Sequence, residues 1–133
     1  MTAKQINNRH VFEVPFRDVG MRGEMFSAAY IVHAEEALAR FWDQREPLDT
    51  DPAFYVSKVS CNLLRAVRFG DRIETTVRVS KIGGRSAGFS ILMHRGAEQV
   101  AEAEIIWSAC DRQSGAPAPL PEDLRDWLYR FLD

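Results

Sequence analysis

Apolar and polar positions alternate along most of this chain, and the period changes once in a way that organises the rest. Residues 10–16 (HVFEVPF) are rich in β-branched and aromatic side chains and predict a strand. Pro15 has no backbone donor, so this strand lies near its end or at a sheet edge. From Phe26 the period becomes helical: Phe26, Tyr30, Ala34, Ala37, Leu38 and Phe41 fall on one stripe. Ser27 is placed to cap or open that helix, and Glu36 and Arg40 are spaced for an exposed ion pair. Pro47 closes the helical region, and 48–52 (LDTDP) is a polar connection.

Four strand patterns follow. In 54–68, Val59, Cys61, Leu63 and Val67 alternate imperfectly with polar residues. In 72–81, Ile73, Thr75, Val77 and Val79 face one way and Glu74, Thr76, Arg78 and Ser80 the other, a clear two-residue period. Segments 86–95 and 99–111 alternate likewise. Gly70-Asp71, Gly83-Gly84 and Gly96 mark the turns between them. A Pro-rich connection (116–121, APAPLP) leads to a closing helix, EDLRDWLYRFL, with Leu124, Trp127, Leu128 and Phe131 inward. Tight turns imply antiparallel neighbours, and one long helix with a broad apolar face needs a sheet to cover it. The predicted class is α+β: a five-stranded antiparallel sheet wrapped around one long helix, with a short C-terminal helix, all in a single domain over 1–133. Such a sheet keeps exposed edges, so pairing with a second copy is expected.

Charge and composition narrow the function classes. A formal net charge of -2 over 133 residues provides no field to attract nucleic acid or an anionic membrane. No apolar run approaches bilayer-spanning length, and the N-terminal MTAKQINNRH lacks a signal-peptide core. Cys61 and Cys110 lie in strand patterns without CxxC spacing and read as reduced core residues. A cytoplasmic protein is expected. No P-loop, dinucleotide fingerprint, Ser-His-Asp order or metal-ligand cluster is present, so neither metal nor cofactor is expected.

Candidate chemistry concentrates where the first strand turns into the helix. A helix N-terminus offers unpaired N–H groups and the positive end of its dipole, a place to hold a polarised carbonyl oxygen. Asp18 is a candidate base or nucleophile, or else a turn aspartate accepting backbone N–H bonds. Glu24 is a second candidate carboxylate, or else a favourable charge against the helix dipole. Ser27 offers its N–H there, and Tyr30 reads as a core residue with its hydroxyl near the pocket. His33 and His94 read as hydrogen-bonded structural residues rather than bases. Glu35 and Glu36 project about 100° apart and do not act on one atom.

The stretch VPFRDVGMRGEMFSAAY resembles the hot-dog fold thioesterases, within them the 4-hydroxybenzoyl-CoA thioesterase family. The family pattern is an apolar strand, Asp-x-Asp, a Gly and a Tyr on the helix. Asp18, Gly23 and Tyr30 match it, Glu35 falls at an often acidic position, and FGDRIETTVRV resembles the segment in which Gly-Asp precedes a strand. The second Asp, the catalytic one in the best-understood branch, is here Gly20, and a position often His or Tyr is Ser27. The resemblance implies an acyl-CoA thioesterase acting on a fatty or aromatic acyl-CoA. Asp18 or Glu24 would be catalytic, and Ser27, Tyr30, Arg85 and Ser86 would bind substrate, the last two near the CoA nucleotide. It implies a homodimer or homotetramer, with CoA or acyl-carrier thioesters as partners. Gly20 supports an alternative, a non-catalytic acyl-thioester binder. His33 gives weak support to a third, a dehydratase using His beside an acid.

Overall fold

A computed structural model describes residues 5–133. Its elements follow the predicted order: β1 (Arg9–Glu13), α1 (Ser27–Asp43), β2 (Ala53–Leu63), β3 (Arg72–Ile82), β4 (Ser86–Arg95), β5 (Glu98–Cys110) and α2 (Glu122–Tyr129). A 3-10 turn over Phe16–Asp18 separates β1 from α1. The five strands form one antiparallel sheet in the order β1-β3-β4-β5-β2, which curls around α1. Among the described residues no helix is long and apolar enough to cross a membrane.

The two periods seen in the sequence account for the core. On α1, Tyr30, His33, Ala34, Ala37, Leu38 and Phe41 are buried. They meet the inward rows of the sheet: Ile73, Thr75, Val77 and Val79 of β3, Phe89, Ile91 and Met93 of β4, and Ala101, Ala103 and Ile105 of β5. The small alanines of β5 and the larger side chains of β3 and β4 together pack against the helix. At the C-terminal end of α1 an aromatic cluster closes the core. Trp42 packs edge-on against Phe54, Trp107 and Trp127, and Phe41 against Phe131.

Several sequence expectations need correction. The strand expected over 54–68 stops at Leu63, because the N–H groups of Leu64 and Arg65 both turn to the carbonyl of Val100. Leu63, expected inward, is 48% exposed on this edge strand. The helix ends at Asp43, before Pro47. Phe26, expected on the buried stripe, is the extended N-cap residue and is 45% exposed, and no side chain caps the helix, so Ser27 is a first-turn residue. Glu36 faces His33 rather than Arg40, with 3.6 Å between Oε2 and Nδ1. Cys61 and Cys110 are free thiols, both half-buried.

Candidate active site

Residues 18–26 form a miniature hairpin that carries the chain into α1. Val19 bridges Met25 in antiparallel fashion. Gly20 donates its N–H to the carbonyl of Glu24 at 2.9 Å, and Phe26 donates to that of Asp18 at 3.0 Å. Gly23 donates back to Gly20 at 3.0 Å and has φ +79°, which makes a tight turn followed by a left-handed residue. That conformation strains any residue with a Cβ, so the glycine matched to the family pattern has a backbone reason to be there. Gly20 has none: its φ is not positive, and a Cβ built on it meets nothing nearer than the Glu24 carbonyl at 3.8 Å.

Gly20 and Glu24 therefore oppose each other across the hairpin. Directly opposed residues of an antiparallel pair project from the same face, with Cβ atoms about 5 Å apart. Where the family pattern has its catalytic Asp, this chain has a bare backbone with a carboxylate as the cross-strand neighbour. The Glu24 side chain is 39% exposed and lies 3.6 Å from the Arg68 guanidinium. With Met25, Tyr30, Leu63, Leu64, Arg65 and Ala66 it lines a cavity of about 220 Å³. Tyr30 is buried, its hydroxyl 3.4 Å from the carbonyl of Arg65. Burial, as the largest influence, pushes that phenol above its ordinary value and keeps it neutral.

Three residues past Glu24, the helix begins. With Phe26 as an uncapped N-cap, the first helical N–H to bond within the chain is that of Ala29, to Phe26 at 3.0 Å. The N–H groups of Ser27 and Ala28 have no partner among the described residues, and both residues are exposed. This is the arrangement that receives a developing oxyanion.

Asp18 sits differently. Its carboxylate is 2.7 Å from Nε2 of His33, a hydrogen bond across fifteen residues of sequence. The His33 side chain is 6% exposed and that of Asp18 14%. Phe12 of β1 stacks on the imidazole, with ring centroids 3.8 Å apart and planes within 5°. The structure thus joins Asp18 to His33 and sets Glu24 and Tyr30 on the cavity. The Asp18–His33 link went unread in the sequence; its signal was a histidine on the apolar stripe of a helix that packs against the segment carrying the aspartate. Arg85 and Ser86 stand elsewhere. Ser86 opens β4 and Arg85 precedes it, at the far end of the 11-residue β3 from the hairpin, on the order of 30 Å away at strand spacing. One protomer does not bring them to the helix N-terminus.

Residues 14–128 match the family described as the thioesterase-like superfamily, so the chain belongs to it. No protein of curated function matches by sequence. Solved structures share the fold. A thioesterase from Thermus thermophilus, determined with coenzyme A and Zn, is 25% identical over 92% of both chains, with a TM-score of 0.80. A Pseudomonas aeruginosa protein is 22% identical over 97% of this chain and 94% of its own, with a TM-score of 0.82. A 1,4-dihydroxy-2-naphthoyl-CoA thioesterase from Synechocystis is 15% identical over 91% of this chain and 94% of its own, with a TM-score of 0.78. The fold is that of the hot-dog thioesterases.

Proposed function

We propose that this member of the thioesterase-like superfamily hydrolyses the thioester of an acyl-CoA, with Glu24 as the reacting carboxylate. The observation that carries the reading is the opposition of Glu24 and Gly20 across the hairpin, beside the unpartnered N–H groups of Ser27 and Ala28. The thioester oxygen accepts from those two N–H groups. Glu24 takes a proton from a water as its oxygen attacks the carbonyl carbon. The tetrahedral oxyanion then collapses, the carbon–sulfur bond breaks, and the proton held by Glu24 passes to the departing thiolate. The products are a carboxylic acid and free CoA. Asp18, the other candidate, has one carboxylate oxygen committed to His33 and acts in support. Tyr30 and the Leu63–Ala66 segment border the acyl group. The two relatives whose ligand or substrate is a CoA compound support the choice of CoA.

A dehydratase reading is not favoured. His33 is covered by Phe12 and engaged by Asp18, so no substrate carbon reaches its ring. Gly20 keeps a second reading in view: a protein that binds acyl-CoA without cleaving it. Replacing Glu24 with Gln separates the two. Hydrolysis predicts a fall in kcat of about 100-fold or more, the worth of a general base, with the melting temperature unchanged. Binding alone predicts no turnover in the parent and equal thermal stabilisation of both proteins by acyl-CoA.

The distance between Arg85–Ser86 and the hairpin bears on assembly. These residues contact a CoA at the hairpin only from a second protomer. The reading therefore includes a homo-oligomer in which the nucleotide of CoA crosses a subunit boundary.

A further inference from the structure

Asp18 is tied at three points. Its N–H donates to Pro15, its carbonyl accepts from the N-cap residue Phe26, and its carboxylate accepts from Nε2 of His33 on the second turn of α1. A hairpin with one bridge and a three-residue loop is not stable alone in water. It needs ties to the body of the protein. Met25 supplies one through its N–H to Val67 at 2.8 Å. Met25 is also buried in the core, Val19 packs against that core and Glu24 pairs with Arg68; the His33–Asp18 bond adds the polar tie to the arm of the hairpin that carries Gly20. The remaining charged neighbour of Asp18 is Arg17, at 3.9 Å with an 81% exposed side chain, which gives no comparable hold.

The His33 ring is itself held on two sides, by Phe12 and Asp18, with Glu36 near a third. Phe12 stacks on its face, Asp18 takes Nε2, and Glu36 approaches Nδ1 at 3.6 Å. His10 of β1 is a further ionisable group close to it. A residue needed only to fill volume would not require its plane stacked and its Nε2 bonded to a carboxylate. We infer that His33 is a positioning residue for the thioester site: its bond to Asp18 holds the 18–26 hairpin so that Glu24 and the Ser27 N–H bear on one carbonyl. The catalytic half of this inference rests on the hydrolytic reading above; the mechanical half does not.

Both halves have their own measurement. His33→Leu removes the bond, His33→Gln keeps an N–H donor near the position of Nε2, and Asp18→Ala removes the bond from the other side. Amide hydrogen exchange reports the hairpin directly, since the Phe26 and Gly20 N–H groups are its ladder. In His33→Leu and Asp18→Ala these two amides are expected to exchange roughly tenfold faster or more, while the β3 and β4 amides keep parent rates. His33→Gln restores slow exchange. In acyl-CoA hydrolysis, His33→Leu lowers kcat by about tenfold or more with KM within about twofold, and His33→Gln recovers most of it. Should His33→Leu fail to fold, Asp18→Ala carries the same test. The inference is overturned if Phe26 and Gly20 stay protected in either variant, or if protection falls equally throughout the sheet. It is also overturned if protection is lost while kcat is unchanged. If the parent releases no thiol, the hydrolytic reading fails and exchange alone decides whether the clasp exists.

Discussion

Gly20 and Glu24 face each other across a turn so short that a carboxylate on either arm serves the same space. Moving the acid between them is thus a direct probe of the site. Gly20→Asp in the parent places two like charges directly opposite, which costs stability by roughly 0.2–1 kcal/mol. In the double variant Gly20→Asp with Glu24→Gln that repulsion is absent, and backbone and space at position 20 accept the side chain. The expected outcome is recovery of at least about tenfold in kcat over Glu24→Gln alone, measured by thiol release. No recovery would mean that the two positions do not share a target. At this scale the sequence named both carboxylates but could not rank them. Asp18 is fifteen residues from His33, and only the way α1 leans on β1 brings them to 2.7 Å. No local spacing encodes that.

Elements were more legible than residues because burial imposes a period. β3 reads as strict alternation since one face meets α1, and the structure returns Arg72–Ile82 for the predicted 72–81. The ends were less legible. β2 lost its last predicted residues because two N–H groups share one carbonyl across the sheet, a non-local choice. After α1 the chain is clamped by Arg45, whose guanidinium forks onto Asp51 at 2.7 and 2.9 Å and lies over the rings of Trp42 and Trp127. Burial pushes the Asp51 carboxyl up, but the hydrogen bonds from Arg45 and the Leu48 N–H outweigh it and leave the group below its ordinary value. A carboxyl lowered by folding stabilises the native state above its unfolded pKa and loses that contribution as pH falls through the folded one. Asp71, lowered first by the Arg68 N–H and further by Arg95, behaves alike. Melting temperature should therefore hold above about pH 5 and decline below about pH 4. In Asp51→Asn the decline should be shallower, with a lower plateau at neutral pH. An equally steep decline in that variant would show that this pair does not set the acid limb.

For the whole molecule, the sheet order leaves β1 and β2 as edges, and β2 exposes Tyr55, Val56 and Leu63. An unpaired edge bearing apolar side chains is a template for a second strand. Sedimentation equilibrium should give at least twice the chain mass at micromolar concentration, and a charged residue at Val56 should shift the protein toward monomer. A monomer throughout would contradict the proposed role of Arg85 and Ser86 in binding CoA. The sequence conveyed the architecture because one helix inside one sheet is a short-range consequence of two periods. It conveyed little of the candidate site, where a hairpin meets the start of a helix and Arg85 and Ser86 lie at the far end of β3.

Thiol release from a panel of short, long and aromatic acyl-CoAs, with the parent and Glu24→Gln side by side, tests the central claim most directly. The account predicts turnover of at least one ester by the parent and a loss of about 100-fold or more in the variant at unchanged melting temperature. Parent-level turnover by Glu24→Gln, or no release by the parent while CoA esters raise its melting temperature, would contradict it.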